Sequence, residues 1–387
     1  MSSSQALVVT LDTLQSLARK LSLTSILRVA PKVGKALVCI LFLLNIRSWP
    51  LVWHFRVFRP VYAIRLYHTW LRISGLVRST AVKQKIEDQW LDSISPVGKH
   101  PLTMYVPYRS WASLDDSDFN GHLSNSSYPK ILDSARFKAA VQMFPMFFRS
   151  GGWMALAATN FYFIREIPIL SSYEIRSSLA SWDQKWIYVM SRFVRKPSGK
   201  KKQKRIETKP ISPEDSEVYS QTMSLRTPGP DGIPSNGTPA ISDTPKINTT
   251  TEPDTQNALN AVAAGLVTEE PDGAILHTVA ISQVCYKVGR ITVPPSLVLG
   301  VNGFTGESGF SLSSPHPQWA DAKNVMSIPN GGSPKKLKAL FAGGWKDIPE
   351  SERWWEQALG ESVEAQRAKN LALIEGLRRG LENARSL

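Results

Sequence analysis

Three observations in the sequence predict an α+β domain in which an antiparallel sheet wraps around one central helix. The first is a set of apolar residues at three-and-four spacing: Tyr128, Ile131, Leu132, Ala135, Ala139 and Met143. This spacing gives a helix one buried face. The second is a group of strand-like runs rich in aromatic and β-branched residues, at 103–111, 153–164, 173–182, 186–194 and 275–286. The third is their order, with one strand before the helix and four after it. Asp183 and Gln184 make a hairpin turn between the third and fourth runs, and the Gly151-Gly152 pair breaks the chain ahead of the second.

The helix opens on the loop DSDFNGHLSNSSYPKILDSARF, residues 116–137. Ser126 or Asn125 is expected to cap its first free N–H groups, and Pro129 is tolerated within the first turn. The helix then starts at about Ser126 and stops at Pro145. Just before it stand a carboxylate, an amide and an imidazole, Asp118, Asn120 and His122. The positive end of a buried helix beside these groups suits polarising and attacking a carbonyl. Taken singly, the same residues have plainer readings. Asp116 or Asp118 is an ordinary turn acid, Asn120-Gly121 a common turn pair, and Asn125 only a cap.

Taken together, the stretch resembles the loop and central helix of hot-dog-fold thioesterases, D-x-[DN]-x-x-H-[VML]-x-N-x-x-Y followed by a small residue and Arg. Asp118, His122, Asn125, Tyr128 and Arg136 fall on those positions, and Asn120 matches the plant acyl-carrier-protein thioesterase form. A second block, SLASWDQKWIYVMSRFV, is similar to the strand-turn-strand of the thioesterase superfamily member 6 group and its fungal relatives. The resemblance covers roughly 101–194 and resumes at 275–299. It implies hydrolysis of an acyl-CoA or acyl-carrier-protein thioester, in lipid or secondary-metabolite (polyketide or lipopeptide) biosynthesis, by a homodimer that needs no cofactor.

Under that resemblance Asp118 is the general base or nucleophile, Asn120 positions water or the carbonyl, and His122 donates to the carbonyl or moves the proton. Backbone amides from Gly121 through Leu123, Ser124 and Asn125 are the expected oxyanion donors, and Tyr128 and Arg136 the substrate-binding residues. Two rivals follow from the same residues. Hot-dog hydratases use D-x-N-P-x-H with the acid and His five apart, whereas here the spacing is four and Gly121 replaces Pro. The second rival is a membrane-anchored acyl-binding or scaffold protein that kept the fold and lost turnover.

The net charge of +14 is concentrated at the N-terminus, where residues 1–85 hold 13 Lys or Arg against the single acid Asp12. This distribution suits a membrane surface or a targeting segment, not a nucleic-acid groove. Residues 1–35 form a basic, Ser-rich tail, and 36–72 a membrane-associating segment: the apolar run ALVCILFLLNI, then aromatic residues interleaved with Arg56, Arg59, Arg65 and Arg72. The run is shorter than the roughly 20 residues of a spanning helix. The alternative for this segment is a helical hairpin packed on the domain. An endoplasmic-reticulum or mitochondrial membrane is expected, with the domain in a reducing compartment. Two cysteines, Cys39 and Cys285, make no disulfide framework. Six His without an H-x-x-x-H spacing disfavour a metal site.

The hot-dog domain is thus expected at 90–194 and 273–300, split by an insertion at 195–272 that opens on KPSGKKKQKR and is too polar to order itself. A short helix is expected at 261–267 within it. Residues 301–387 form a C-terminal extension. Its first part, 301–332, reads as Gly- and Ser-rich loop. A helix from Glu350 to about Arg379 follows, signalled by Asp347 and Glu350 at capping-box spacing and expected as an exposed lid or partner-facing element.

Overall fold

The computed structural model describes residues 23–196 and 270–383. The strands are β1 Tyr105–Trp111, β2 Trp153–Phe163, β3 Ser172–Trp182, β4 Ile187–Arg195, β5 Ile275–Val288 and β6 Ile291–Val293. They form one sheet in the order β1-β3-β4-β5-β2, with β6 beside β5 and every pairing antiparallel. The helices are α1 Leu23–Leu44, α2 Val52–Ser74, α3 Thr80–Ile94, α4 Ser127–Met143, α5 Pro145–Arg149, α6 Pro295–Val301, α7 Gln318–Met326, α8 Pro334–Phe341 and α9 Trp354–Asn383.

Helix α4 follows β1 and lies against the sheet, which is the hot-dog arrangement. Its expected apolar face is the buried one: Ile131, Leu132 and Ala135 cluster with Ile175 of β3, Phe193 of β4 and Ala280 of β5. Pro145 ends α4 and opens α5, where its missing N–H costs nothing. The cap differs from expectation. Ser126 has helical backbone angles and its hydroxyl pairs with that of Ser124 at 3.0 Å, so no side chain caps the first turn.

A second part of the core lies beyond α4. Phe144, Phe147 and Tyr286 pack edge to face, with centroids 5.0–5.2 Å apart, and join Phe304, Trp319, Phe341 and Trp355 in one buried cluster. The C-terminal extension therefore supplies core. Residues 301–332 contain α7, with Trp319 buried, where the sequence reads as loop. The final helix also differs from expectation. Glu350–Glu352 is only a 3-10 turn, and α9 begins at Trp354. Trp355 sets that start by seating on Gly300 of α6, where an added Cβ would stand 2.5 Å from the Trp355 Cβ. Trp355, Leu359 and Val363 are buried, so the first turns of α9 are packed and not a free lid.

At the N-terminus the apolar run lies in α1, exposed throughout from Pro31 to Ile46. Helix α2 packs on the domain, with Val57 buried and the Phe58 ring 5.4 Å from Phe137 of α4. Its other side leaves Phe55, Leu66, Tyr67 and Trp70 exposed. Among the described residues no helix is long and apolar enough to cross a membrane.

The insertion expected at 195–272 lies outside the described residues except at its two ends, as does the helix expected at 261–267 and most of the 1–35 tail. At those ends Arg195 of β4 pairs with Ile275 of β5, so the segment leaves and re-enters at adjacent strand positions. Loop-closure cost grows only slowly with length, which makes this a tolerant place for an insertion. Arg176 of β3 fastens the return by ion pairs to Glu174 at 2.9 Å, Glu270 at 3.5 Å and Asp272 at 2.6 Å. The Arg176 hydrogen bond holds the Asp272 carboxyl down at about 2, and Arg176 likewise depresses Glu174 against its partial burial. A carboxyl whose folded pKa is depressed stabilises the fold above its unfolded value and stops doing so as pH falls through the folded value. Stability is therefore expected to decline from about pH 4 to about pH 2. Arg176→Met should flatten that slope in pH-dependent thermal unfolding; an unchanged slope would exclude this network as its source.

Candidate active site

Between β1 and α4 the chain makes a turn closed by its own acid. Asp118 Oδ1 accepts from the amides of Asn120 at 3.0 Å and His122 at 3.2 Å. Gly121 supplies the left-handed residue the turn requires, at φ +77°. Asp118 Oδ2 has no hydrogen-bond partner among the described residues. One oxygen thus holds the loop while the other is free for chemistry.

A second segment, the β2–β3 connection, is zipped along this turn. Leu123 N donates to Ile167 O at 2.8 Å, Ile169 N donates to Gly121 O at 2.8 Å, and His122 bridges to Pro168. The pairing brings Glu166 beside His122, with Oε2 3.1 Å from Nδ1: within ion-pair reach, though not aligned as a hydrogen bond. His277 of β5 holds the backbone of this connection, with Nδ1 2.9 Å from Glu166 O, and its burial lowers its pKa. Tyr128 is buried between α4 and the sheet, against Phe163 and Phe193. Burial raises its pKa against the opposing effect of Thr278, and the charges of Glu166 and Asp118 add to the rise.

The other acid of the loop, Asp116, has a different place. It is fully buried, with Ser113 Oγ at 2.9 Å, Lys130 Nζ at 2.9 Å and Arg47 Nε at 3.3 Å. Arg47 comes from the turn between α1 and α2. It also donates to Trp111 O at 2.8 Å and Ser110 Oγ at 3.1 Å on the edge of β1, and lies over the Trp111 ring. Next to it Ser48 donates to Asp115 at 2.5 Å. Asp116 O in turn receives Ser124 N at 3.0 Å, so this buried ion cluster sets the height of the loop over α4.

Two of the expected site roles change with this geometry. The amides of Gly121, Leu123 and Ser124 are already bonded to Asp118 O, Ile167 O and Asp116 O, so three of the four expected oxyanion donors are occupied. The amide of Asn125, whose residue is exposed at the helix start, is free among the described residues. Arg136 points into the fold, donating to Thr159 Oγ1 at 2.7 Å and Ser282 Oγ at 2.9 Å, with Asp133 beside it. It fastens α4 to β2 and β5. Asp118 meets Asn120 and His122 through their backbone amides, while Tyr128 lies buried among the sheet's aromatic rings. Sequence reasoning missed Glu166 and Arg47, which are 44 and 75 residues from His122 and carry no local signal.

Residues 112–209 match the Thioesterase-like superfamily. The thioesterase poxG of Penicillium oxalicum is 28% identical over 189 residues, covering 44% of this chain and 54% of its own length. Thioesterase lcsJ of Purpureocillium lilacinum is 27% identical, at 43% and 60% coverage. The probable thioesterase YBR096W of Saccharomyces cerevisiae is 35% identical over 92 residues, at 23% and 40% coverage. The chain spans about half the length of these curated relatives. Among solved structures, the probable thioesterase YbaW of Escherichia coli overlaps 51% of this chain and 95% of its own, at 10% identity and a TM-score of 0.28. The sheet order and central helix are those of the hot-dog fold, and within it residues 112–209 are similar to the thioesterase-like superfamily.

Proposed function

We propose that the protein hydrolyses an acyl thioester, of CoA or of an acyl carrier protein, at the Asp118 loop. The observation that carries this reading is the division of labour within one carboxylate: Oδ1 is spent on the loop and Oδ2 has no hydrogen-bond partner among the described residues. Water adds its oxygen to the acyl carbon, the C–S bond breaks, and the thiolate leaves with a proton. Asp118 Oδ2 either takes the water proton or attacks first to give a mixed anhydride. In this reading His122, with Glu166 Oε2 3.1 Å from its Nδ1, moves the proton, and the free Asn125 amide meets the oxyanion. The test is thiol release by the full chain from short, medium and long acyl-CoAs and from an acyl carrier protein. Turnover on any of them, lost in Asp118→Asn, supports hydrolysis. Saturable acyl binding without turnover on either carrier would instead make it a binding protein.

The same reading extends to a homodimer and a membrane. Among the described residues strand β2 pairs only with β5, and it carries exposed Trp153, Leu156 and Tyr162. An unpaired apolar edge favours pairing with a second sheet. Leu156→Lys is expected to convert a dimer to a monomer in light scattering; a monomeric wild type would sink the idea. Membrane attachment rests on the exposed apolar residues of α1 and α2 together with their basic charge. The chain is then expected in the membrane fraction at low salt, and recovery in the soluble fraction there would count against it.

A further inference from the structure

Apart from the Asp118 loop, the fold holds a cavity of about 540 Å³ among α2, α3, α4 and α5. That size falls within the roughly 300–1,000 Å³ of small-molecule sites. Its walls are apolar, from Phe58 and Val61 of α2, Ile94 of α3, Phe137 and Val141 of α4, and Phe148 of α5. None of the residues lining it belongs to the 116–125 loop.

The charged groups on the lining are both cationic, Arg65 and Arg149. Arg149 is committed, paired with Glu87 and lying over the Trp90 ring. Glu87, the neighbouring acid, is engaged on its other oxygen by His68 at 2.9 Å. Arg65 is exposed and has no hydrogen bond or ion pair among the described residues. Helix α2 contains no acidic residue, so nothing on its own element answers that charge. Next to Arg65 in the chain, on the side of α2 turned away from the domain, Leu66 and Trp70 are 70% and 60% exposed.

From this combination we infer that the cavity takes one acyl chain of an anionic membrane lipid, with the head-group phosphate at Arg65. The chain removes the apolar walls from water, and a phosphate gives Arg65 the charge-assisted hydrogen bonds it lacks. A membrane lipid is favoured over a free fatty acid because α2, which carries Arg65, also exposes Leu66, Tyr67 and Trp70, an apolar surface suited to a lipid layer. The site is independent of thioester hydrolysis.

The experiment is calorimetric titration of the full chain with 1-oleoyl lysophosphatidate, 1-oleoyl lysophosphatidylcholine and oleate, each below its micelle concentration. Lysophosphatidate should fill one site. Arg65→Gln should weaken it about tenfold or more, as for loss of a charge-assisted contact. Val61→Trp and Val141→Trp, which fill the cavity from opposite walls, should abolish binding, and Asp118→Asn should leave it unchanged. Equal affinity for lysophosphatidylcholine, which has a phosphate but no net charge, would overturn the preference for an anionic lipid. Undiminished binding in Arg65→Gln would overturn the role of Arg65, and equal affinity for oleate would overturn the lipid source. Undiminished binding in both folded tryptophan variants would place the ligand elsewhere. If neither variant folds, the head-group comparison and Arg65→Gln decide.

Discussion

Asp118→Asn is expected to lower thiol release by roughly 10²–10⁴-fold, the usual share of a positioned acid or base, while leaving the unfolding midpoint unchanged. The reason lies in how the two oxygens are used. An asparagine at 118 keeps Oδ1, so the amides of Asn120 and His122 retain their acceptor and the turn stays closed. Only Oδ2 is replaced, by an amide nitrogen that neither attacks nor takes a proton. Asp118→Ala removes both oxygens and should lose stability as well as turnover. The pair of variants, followed by steady-state thiol release and thermal unfolding, separates chemistry from bracing. Full activity in the asparagine variant would remove Asp118 from the reaction.

The second large effect is expected at a residue far from the loop in sequence. Arg47→Ala leaves Asp116, which is fully buried, with Lys130 as its remaining cation. Removing one partner of a buried ion pair costs about 3–5 kcal/mol, and the surviving lysine puts the expected loss near about 3 kcal/mol. Turnover should fall with it, because Asp116 O holds Ser124 N and the chain reaches Asp118 only two residues later. Arg47→Lys should give an intermediate loss, since a lysine restores charge but cannot also serve Trp111 O and Ser110 Oγ. Denaturant unfolding of the full chain measures both. A loss below about 1 kcal/mol, the range of exposed pairs, would mean that the α1–α2 turn does not clamp the loop.

What could be read in the sequence was what is encoded locally. The face of α4 follows from residues three and four apart, and every one of its six named positions is buried. The five main strands fall where alternation and aromatic content place them, and the Asp118–His122 turn is announced by Asn120-Gly121. The remainder depends on contacts distant in sequence. Glu166 reaches His122 only because the β2–β3 connection pairs with the turn, and no spacing rule links the two. Local signals also lost outright at α9. Asp347 and Glu350 have the spacing of a cap, yet Asp347 ends one 3-10 turn and Glu350 opens another, and the α-helix starts only at Trp354, beside the buried Trp355 packed on Gly300. Helix α8 is only eight residues long and rich in lysine, too short for its apolar residues to mark a period.

The Arg47–Asp116 contact also constrains how such a chain can change over generations. A carboxylate sealed from water with Lys130 as one cation is stabilised further while a second, from residues 46–48, stays against it. Loss of the amino-terminal helices, or drift at position 47, would make an acid at 116 a burden that selection acts upon. Relatives of this protein without the α1–α2 hairpin are therefore expected to carry an amide or apolar residue at the position of Asp116 while keeping the acid at Asp118. Substitutions at 47 and 116 should travel together through a lineage, and neither should be tracked by changes at 118.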